Sequence, residues 1–253
     1  MTIKSIGFIA ALAFVAAACG TKEAPGPLDP SGPTGRVRFV NLVTDPTRIP
    51  VNAILEGVPF GVNLGYGAAT PATLPSPSTA NYSAILSGAR SLVVKKTADT
   101  TIVLATIGFT VADNVDYTVY ATGGTAGAAV TNFVTTDANP VPTAAQTEVR
   151  IVNMSPSAGA LDVFVTAPNA DLAAATPAAT NLAYQAATAY AVFAPATYQV
   201  RAVPAGTAAA LRSTSVVVTI NGVALAGGTG RTIILADRAA GGAPLTGFVL
   251  SDR

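Results

Sequence analysis

From residue 36 onward, apolar residues fall in short runs whose members alternate with polar ones, and Gly, Pro, Asn or Asp closes each run. Val37-Arg38-Phe39-Val40-Asn41 and Val51-Asn52-Ala53-Ile54-Leu55 are typical. Runs of this length, rich in Val, Ile, Thr, Tyr and Phe, read as β-strands. Residues 101–111 (TIVLATIGFTV) and their counterpart around 216–220 are long enough for central strands, and residues 112–116 read as the turn into a strand over 117–122. Roughly seven such strands fall in each ~100 residues, and no helical period persists over a helix length. Residues 170–191 are Ala-rich and carry high helix propensity. Thr176, Pro177, Thr180 and Thr188 interrupt them, so the expectation is a loop with at most a helical turn.

The runs recur. Val37-Arg38-Phe39-Val40-Asn41 matches Val149-Arg150-Ile151-Val152-Asn153, and Val51-Asn52-Ala53-Ile54-Leu55 matches Leu161-Asp162-Val163-Phe164-Val165. Asn63-Leu64-Gly65-Tyr66 pairs with Asn181-Leu182-Ala183-Tyr184, and Tyr82-Ser83-Ala84-Ile85 with Tyr198-Gln199-Val200-Arg201. Thr118-Val119-Tyr120-Ala121 and Phe133-Val134-Thr135-Thr136-Asp137 find partners in Thr232-Ile233-Ile234-Leu235 and Phe248-Val249-Leu250-Ser251-Asp252. The offset stays between 110 and 118 residues throughout, the mark of a duplication. The expected organisation is two tandem all-β domains, each an immunoglobulin-like β-sandwich, over residues 36–138 and 148–253, with 139–147 as linker.

Ahead of them lies a different segment. Lys4 follows a short polar start, residues 6–18 are 13 apolar or small residues, and Cys19 stands directly after Ala16-Ala17-Ala18. A membrane-spanning helix needs roughly 20 apolar residues, so this is the order of a secretory signal and not of a permanent span. It resembles a bacterial lipoprotein signal, in which the cysteine after the small residues is acylated and becomes the first residue of the mature chain. That resemblance assigns residues 1–18 to the signal peptide and Cys19 to lipid attachment. Gly20 stands where an Asp would mark retention in the inner membrane, which points to the outer membrane. Residues 19–35 then form the lipidated Cys and a tether, with Pro25, Pro27, Pro30 and Pro33 among Gly and polar residues. At about 3.1 Å per residue in an extended form, its sixteen residues after Cys19 reach roughly 50 Å.

Composition narrows the chemistry. The 253 residues carry 14 Lys plus Arg against 13 Asp plus Glu, so phosphate-rich partners such as nucleic acid are not expected. Mean hydropathy is +0.50, but 51 of the residues are Ala, which raise that figure without adding bulk. There is no His and no Trp, and Cys19 is the single cysteine. His-dependent catalysis, His or Cys metal sites and disulfides within the chain are therefore excluded.

Other constellations favour structure over chemistry. Arg38 and Asn41 recur as Arg150 and Asn153, and a residue required in both copies serves the fold before it serves a single site. Asp113, Asn114 and Asp116 lack the ligand set of a calcium loop and read as a hairpin turn. Lys95 and Lys96 have no S-x-x-K or G-x-S-x-G arrangement beside them. The glycine-rich residues 123–127 open no helix and read as a flexible loop between strands.

The V-R-x-x-N pattern, the Asp45-Pro46 and Ser155-Pro156 turns, the strand holding Asn52 or Asp162, and the closing Tyr117-Thr118-Val119-Tyr120-Ala121-Thr122-Gly123 together resemble the bacterial envelope domain of unknown function catalogued as number 4397. Ala80 and Ala196 stand where that family commonly has a Gly before its Tyr-containing strand. The resemblance implies an all-β fold and an envelope location and brings no activity. The expectation is a non-enzymatic, lipid-anchored envelope protein that binds or displays a polysaccharide or protein partner and needs no cofactor. The alternatives are a passive spacer or a hydrolase using paired carboxylates.

Overall fold

The structure, a computed structural model, describes residues 32–71 and 81–252. The signal segment, Cys19 and the tether up to residue 31 lie outside the described residues. The first repeat contributes β1 (Thr34–Val43), β2 (Val51–Leu55), β3 (Val58–Leu64), β4 (Ala69–Thr70), β5 (Ser83–Leu86), β6 (Gly88–Lys96), β7 (Val103–Val111), β8 (Asp116–Gly123) and β9 (Val130–Asp137). The second contributes β10 (Thr147–Asn153), β11 (Leu161–Thr166), β12 (Ala179–Leu182), β13 (Ala186–Ala187), β14 (Ala191–Phe193), β15 (Ala196–Pro204), β16 (Val218–Leu225), β17 (Thr229–Ala236) and β18 (Thr246–Ser251).

In each repeat two sheets pack face to face, so the chain is all-β and builds two tandem sandwiches of immunoglobulin-like size. One sheet runs β4-β1-β8-β9 and its equivalent β13-β10-β17-β18, with β5 and β14 also on the first strand. The other runs β3-β2-β6-β7, matched by β12-β11-β15-β16. The first strand of each repeat lies inside its sheet and pairs in parallel with β8 or β17, while its other neighbours are antiparallel. Val37, Phe39, Leu55, Leu92 and Ile107 fill the first sandwich, and Val149, Ile151, Leu161, Val200 and Ile233 the second.

Three local expectations change. Among the described residues each repeat shows nine strands and not seven, because β4, β5, β13 and β14 are two to four residues long, too short to register as an alternating run. Residues 101–111 and 216–220 supply β7 and β16, which are edge strands rather than central ones. β7 leaves Val103, Thr106, Gly108 and Thr110 exposed. The Ala-rich residues 170–191 form turns and short strands, and the six-residue 3-10 turn of this repeat comes later, at Ala209–Thr214.

The duplication extends to backbone detail. Asn63 and Asn181 both take left-handed φ, +56° and +49°. Each is held by the same bond: the Asn63 amide donates to Asn52 Oδ1 at 2.9 Å, and the Asn181 amide to Asp162 Oδ1 at 2.8 Å. One sequence match fails, since Tyr198 lies on β15 and packs edge-on against Phe193. The equivalent of Tyr82 is Tyr190, because each precedes the short strand on the outer side of β1 or β10 and lies over the arginine of that strand.

A third apolar cluster belongs to both repeats. Val40 and Leu42 of β1 and Tyr120 of β8 meet Val152 of β10, Met154 just beyond it, and Ile234 and Ala236 of β17, all 1% exposed or less. Strand β1 thus buries one face in its own sandwich and the other against the second repeat, which explains its nearly unbroken burial from Val37 to Val43. Thr122 Oγ1 donates to the Met154 carbonyl at 3.0 Å, and Arg150 reaches Asp137 at 2.5 Å. Equivalent levels of the two sheets therefore face each other, related by an approximate two-fold along the strands.

This arrangement gives the molecule two unlike poles. Thr34 and Thr147 begin strands and Asp137 and Ser251 end them at one pole, so both described chain ends and the inter-repeat linker gather there. The β8–β9 and β17–β18 loops lie at the other. Ten residues of β1, at about 3.3 Å each, put the poles roughly 30 Å apart.

Candidate functional site

The residues that the sequence repeats meet at the junction of the two sandwiches. Arg38 forms an ion pair with Asp252 of the other repeat at 2.8 Å, and Arg150 pairs with Asp137 at 2.5 Å. Each guanidinium also donates to the threonine opposite it, Arg38 to Thr118 at 3.0 Å and Arg150 to Thr232 at 3.1 Å. Those hydroxyls donate onward, Thr118 to Asp137 and Thr232 to Asp252. Tyr82 lies over Arg38 at 4.5 Å and donates to Asp137 at 2.8 Å, while Tyr190 lies over Arg150 at 5.1 Å and donates to Asp252 at 3.0 Å. The side chains of both ion pairs are 3% exposed or less.

Burial by itself would lower the Arg38 pKa, but Tyr82, Asp252, Tyr120 and Asp137 around it outweigh that loss and raise it. Desolvation raises Tyr82, Tyr120 and Tyr190 well above the ordinary phenol range, so their hydroxyls stay protonated. The Tyr120 hydroxyl, fully buried, has no partner. A buried network of opposite charges in two symmetric halves fixes register between packed surfaces. Asn41 and Asn153 are structural in the same sense. Each amide donates to one strand-end carbonyl, Leu64 or Leu182, and to one loop carbonyl, Gly65 or Gly159, and accepts a backbone N–H two residues on.

The other sequence candidates scatter. Asp113 accepts the Thr34 amide at 3.1 Å, and Asp116 is held by Arg36 at 2.5 Å and by Asn139. They belong to the turn and strand start at the tether-side pole. Lys95 and Lys96 end β6. Residues 123–127 do join two strands, with a 3-10 turn at Thr125–Gly127, and they also wall a cavity, a role that glycine content alone does not signal.

Among the described residues, three cavities are seen along the junction. Two lateral grooves, 540 and 510 Å³, are related by the pseudo-two-fold, since Arg150, Ala187 and Thr136 in one occupy the places of Arg38, Ala69 and Ser251 in the other. The third, 380 Å³, lies at the pole away from the chain ends. The β8–β9 loop of the first repeat faces Pro156, Ser157, Tyr184, Asp237 and Gly242 of the second across it. Tyr184 and Thr131 join hydroxyls across the repeats at 2.6 Å, and Gln185 donates to the Asn132 carbonyl at 2.9 Å beside them. Desolvation raises the Tyr184 pKa. Asp237 is buried and accepts from Ser155, from Ser157 Oγ at 2.7 Å and from the Gly242 amide at 3.0 Å. Gly241, at φ +82°, lies so close to Thr125 that a Cβ there would stand 2.3 Å from its hydroxyl oxygen, which fixes how the two loops meet.

Fold and junction together define a duplicated β-sandwich protein whose two halves share one core and enclose a cavity at one pole. The pattern of the family described as "Domain of unknown function (DUF4397)" matches residues 35–164, the whole first repeat and the opening strands of the second, and the chain belongs to that family. No curated protein matches the chain. Among solved structures, a family 26 carbohydrate-binding module from Eubacterium rectale Amy13K, in complex with maltoheptaose, is similar at 10% identity and a TM-score of 0.23, over 86% of this chain and 95% of that one. A likeness of that degree assigns no ligand here.

Proposed function

We propose that the chain is a lipid-anchored, non-catalytic protein of the cell envelope, held through Cys19 in the outer membrane, whose joined sandwiches carry a binding site away from the lipid. One observation carries the reading. Both described chain ends gather at one pole, and the cavity between the repeats opens at the other, roughly 30 Å away. An anchor ahead of the first repeat then lies on the side of the molecule away from the cavity. The cavity walls come from both repeats, so the cross-repeat network that sets their register also sets the shape of the site. Several acyl chains suffice for stable attachment, so no basic patch is needed.

Cys19→Ala tests the anchor. In membrane fractionation the variant is expected to move from the membrane to the soluble envelope fraction while keeping its fold by circular dichroism. Continued tight membrane association would remove the anchor from the account.

A further inference from the structure

The cavity at the tether-distal pole has a chemistry that selects its occupant. Its volume, 380 Å³, falls toward the small end of ligand sites. No Lys or Arg stands in its wall. Asp237, the acid in its wall, is already saturated by two serine hydroxyls and a backbone amide. The neighbouring guanidiniums are committed to loop carbonyls, Arg48 to Ala128 and Gly127 and Arg238 to Gly241. An anionic ligand would shed water and meet no cation in the wall, only the Asp237 carboxylate.

What the wall does offer is hydroxyl and apolar surface. Thr131 and Tyr184 share a bond in which either oxygen can be the donor, and Thr125 shares one with Thr44 in the same way. Such groups reorganise to meet donors and acceptors alike, as a polyhydroxylated ligand requires. The Tyr184 ring, Pro156 and Ala128 supply flat apolar surface for the C–H face of a sugar ring.

We infer that this cavity receives the uncharged end of a glycan, one or two sugar rings deep. The inference rests on the reading of the pole as a binding site and names its ligand class. Tyr184 stacks on the sugar, and the hydroxyls of Thr131 and Ser157 meet its hydroxyls. Because the site needs loops of both repeats, one chain holds one such site.

The test uses the full lipidated chain in detergent, titrated with cellohexaose, maltohexaose and chitohexaose, and with a hexamer of galacturonic acid as the charged control. Calorimetry and saturation-transfer NMR give the readout. Saturable binding of at least one neutral hexamer is expected, with none of the uronate. Tyr184→Ala should weaken binding about tenfold or more. Ala128→Glu, at an exposed position in the cavity wall, should abolish it without touching the fold, and Glu148→Gln in a lateral groove should leave it unchanged. Absence of binding by all three neutral hexamers at millimolar concentration, equal binding of the uronate, or insensitivity to Ala128→Glu would each overturn the inference. If the Cys19→Ala result and the pole-directed crosslinking described below hold while the sugars fail, the ligand class alone is wrong.

Discussion

Arg38 and Arg150 show how a residue repeated by duplication acquires a partner that neither copy contains alone. Each guanidinium takes a threonine from its own repeat and a carboxylate from the other. Removing Asp252 therefore leaves two buried guanidiniums sharing the one carboxylate of Asp137, which is 3.8 Å from Arg38 and 2.5 Å from Arg150. Asp252→Ala is expected to lower unfolding free energy by about 3–5 kcal/mol, the usual cost of breaking a buried pair from one side. Urea denaturation checks it, and a loss under about 1 kcal/mol would place the pair in solvent rather than in a shared core. The tyrosines above these arginines add a pH dependence. Burial raises Tyr66, Tyr82, Tyr120 and Tyr190 above 10.0, so they stay protonated in the folded chain where the unfolded chain would ionise. Their contribution is complete below about pH 10 and falls as pH rises beyond it. Tyrosinate absorbance should consequently rise together with loss of the β-sheet circular dichroism signal. Full ionisation with the fold intact would contradict the burial.

At the scale of elements, the two repeats differ where one carries an insertion. Residues 167–178 fold back over the outer sheet of the second sandwich, and Leu172 packs with Phe164 and Val203 under Arg212, which lies 5.1 Å from the Phe164 ring. Among the described residues the first repeat has no such cover: Ile54, the equivalent of Phe164, is only half-buried, and Lys95 stands where the second repeat has Val203. Leu172→Ala should cost about 2–4 kcal/mol by leaving a void in this satellite core. Because the insertion is remote from the pole cavity, ligand binding there should survive, and a coupled loss would mean the insertion supports the site. Much of this layout is legible in the sequence. Alternation finds the long strands, and the ordered matches find the duplication, with Asn52 and Asp162 already marked. Strand neighbours are not legible, since β7 reads as a strong run yet ends as an edge. Nor is the shared core: β1, with Arg38 and Asn41 among its apolar residues, looks like any alternating strand until its second face is seen against β10. Tyr198 mimics Tyr82 in sequence because both begin a strand-forming run, and only their position over an arginine separates them. The site was the least legible part. Tyr66 and Tyr184 do stand out as a matched pair, but the cavity wall is otherwise Gly, Ala, Thr and Ser, and its shape depends on loops from the opposite repeat.

For the whole molecule, duplication has produced an object that neither repeat would make alone. The two sandwiches share an apolar cluster and a reciprocal ion network, and their junction opens into a cavity at the pole opposite the chain ends. Stability and site formation are thereby tied to one interface, and polarity follows from having every described terminus on one side. The most direct test places a photoreactive side chain at Ala128, beside the cavity, or at Val141, exposed in the linker at the tether-side pole, in lipidated chains within living cells. Light-induced adducts are then compared under denaturing conditions. Specific adducts with an envelope polysaccharide or protein from residue 128, and lipid or background products from residue 141, are predicted. Equal products from both positions, or none from residue 128 at high crosslinking yield, would contradict an outward binding pole and leave a passive spacer in its place.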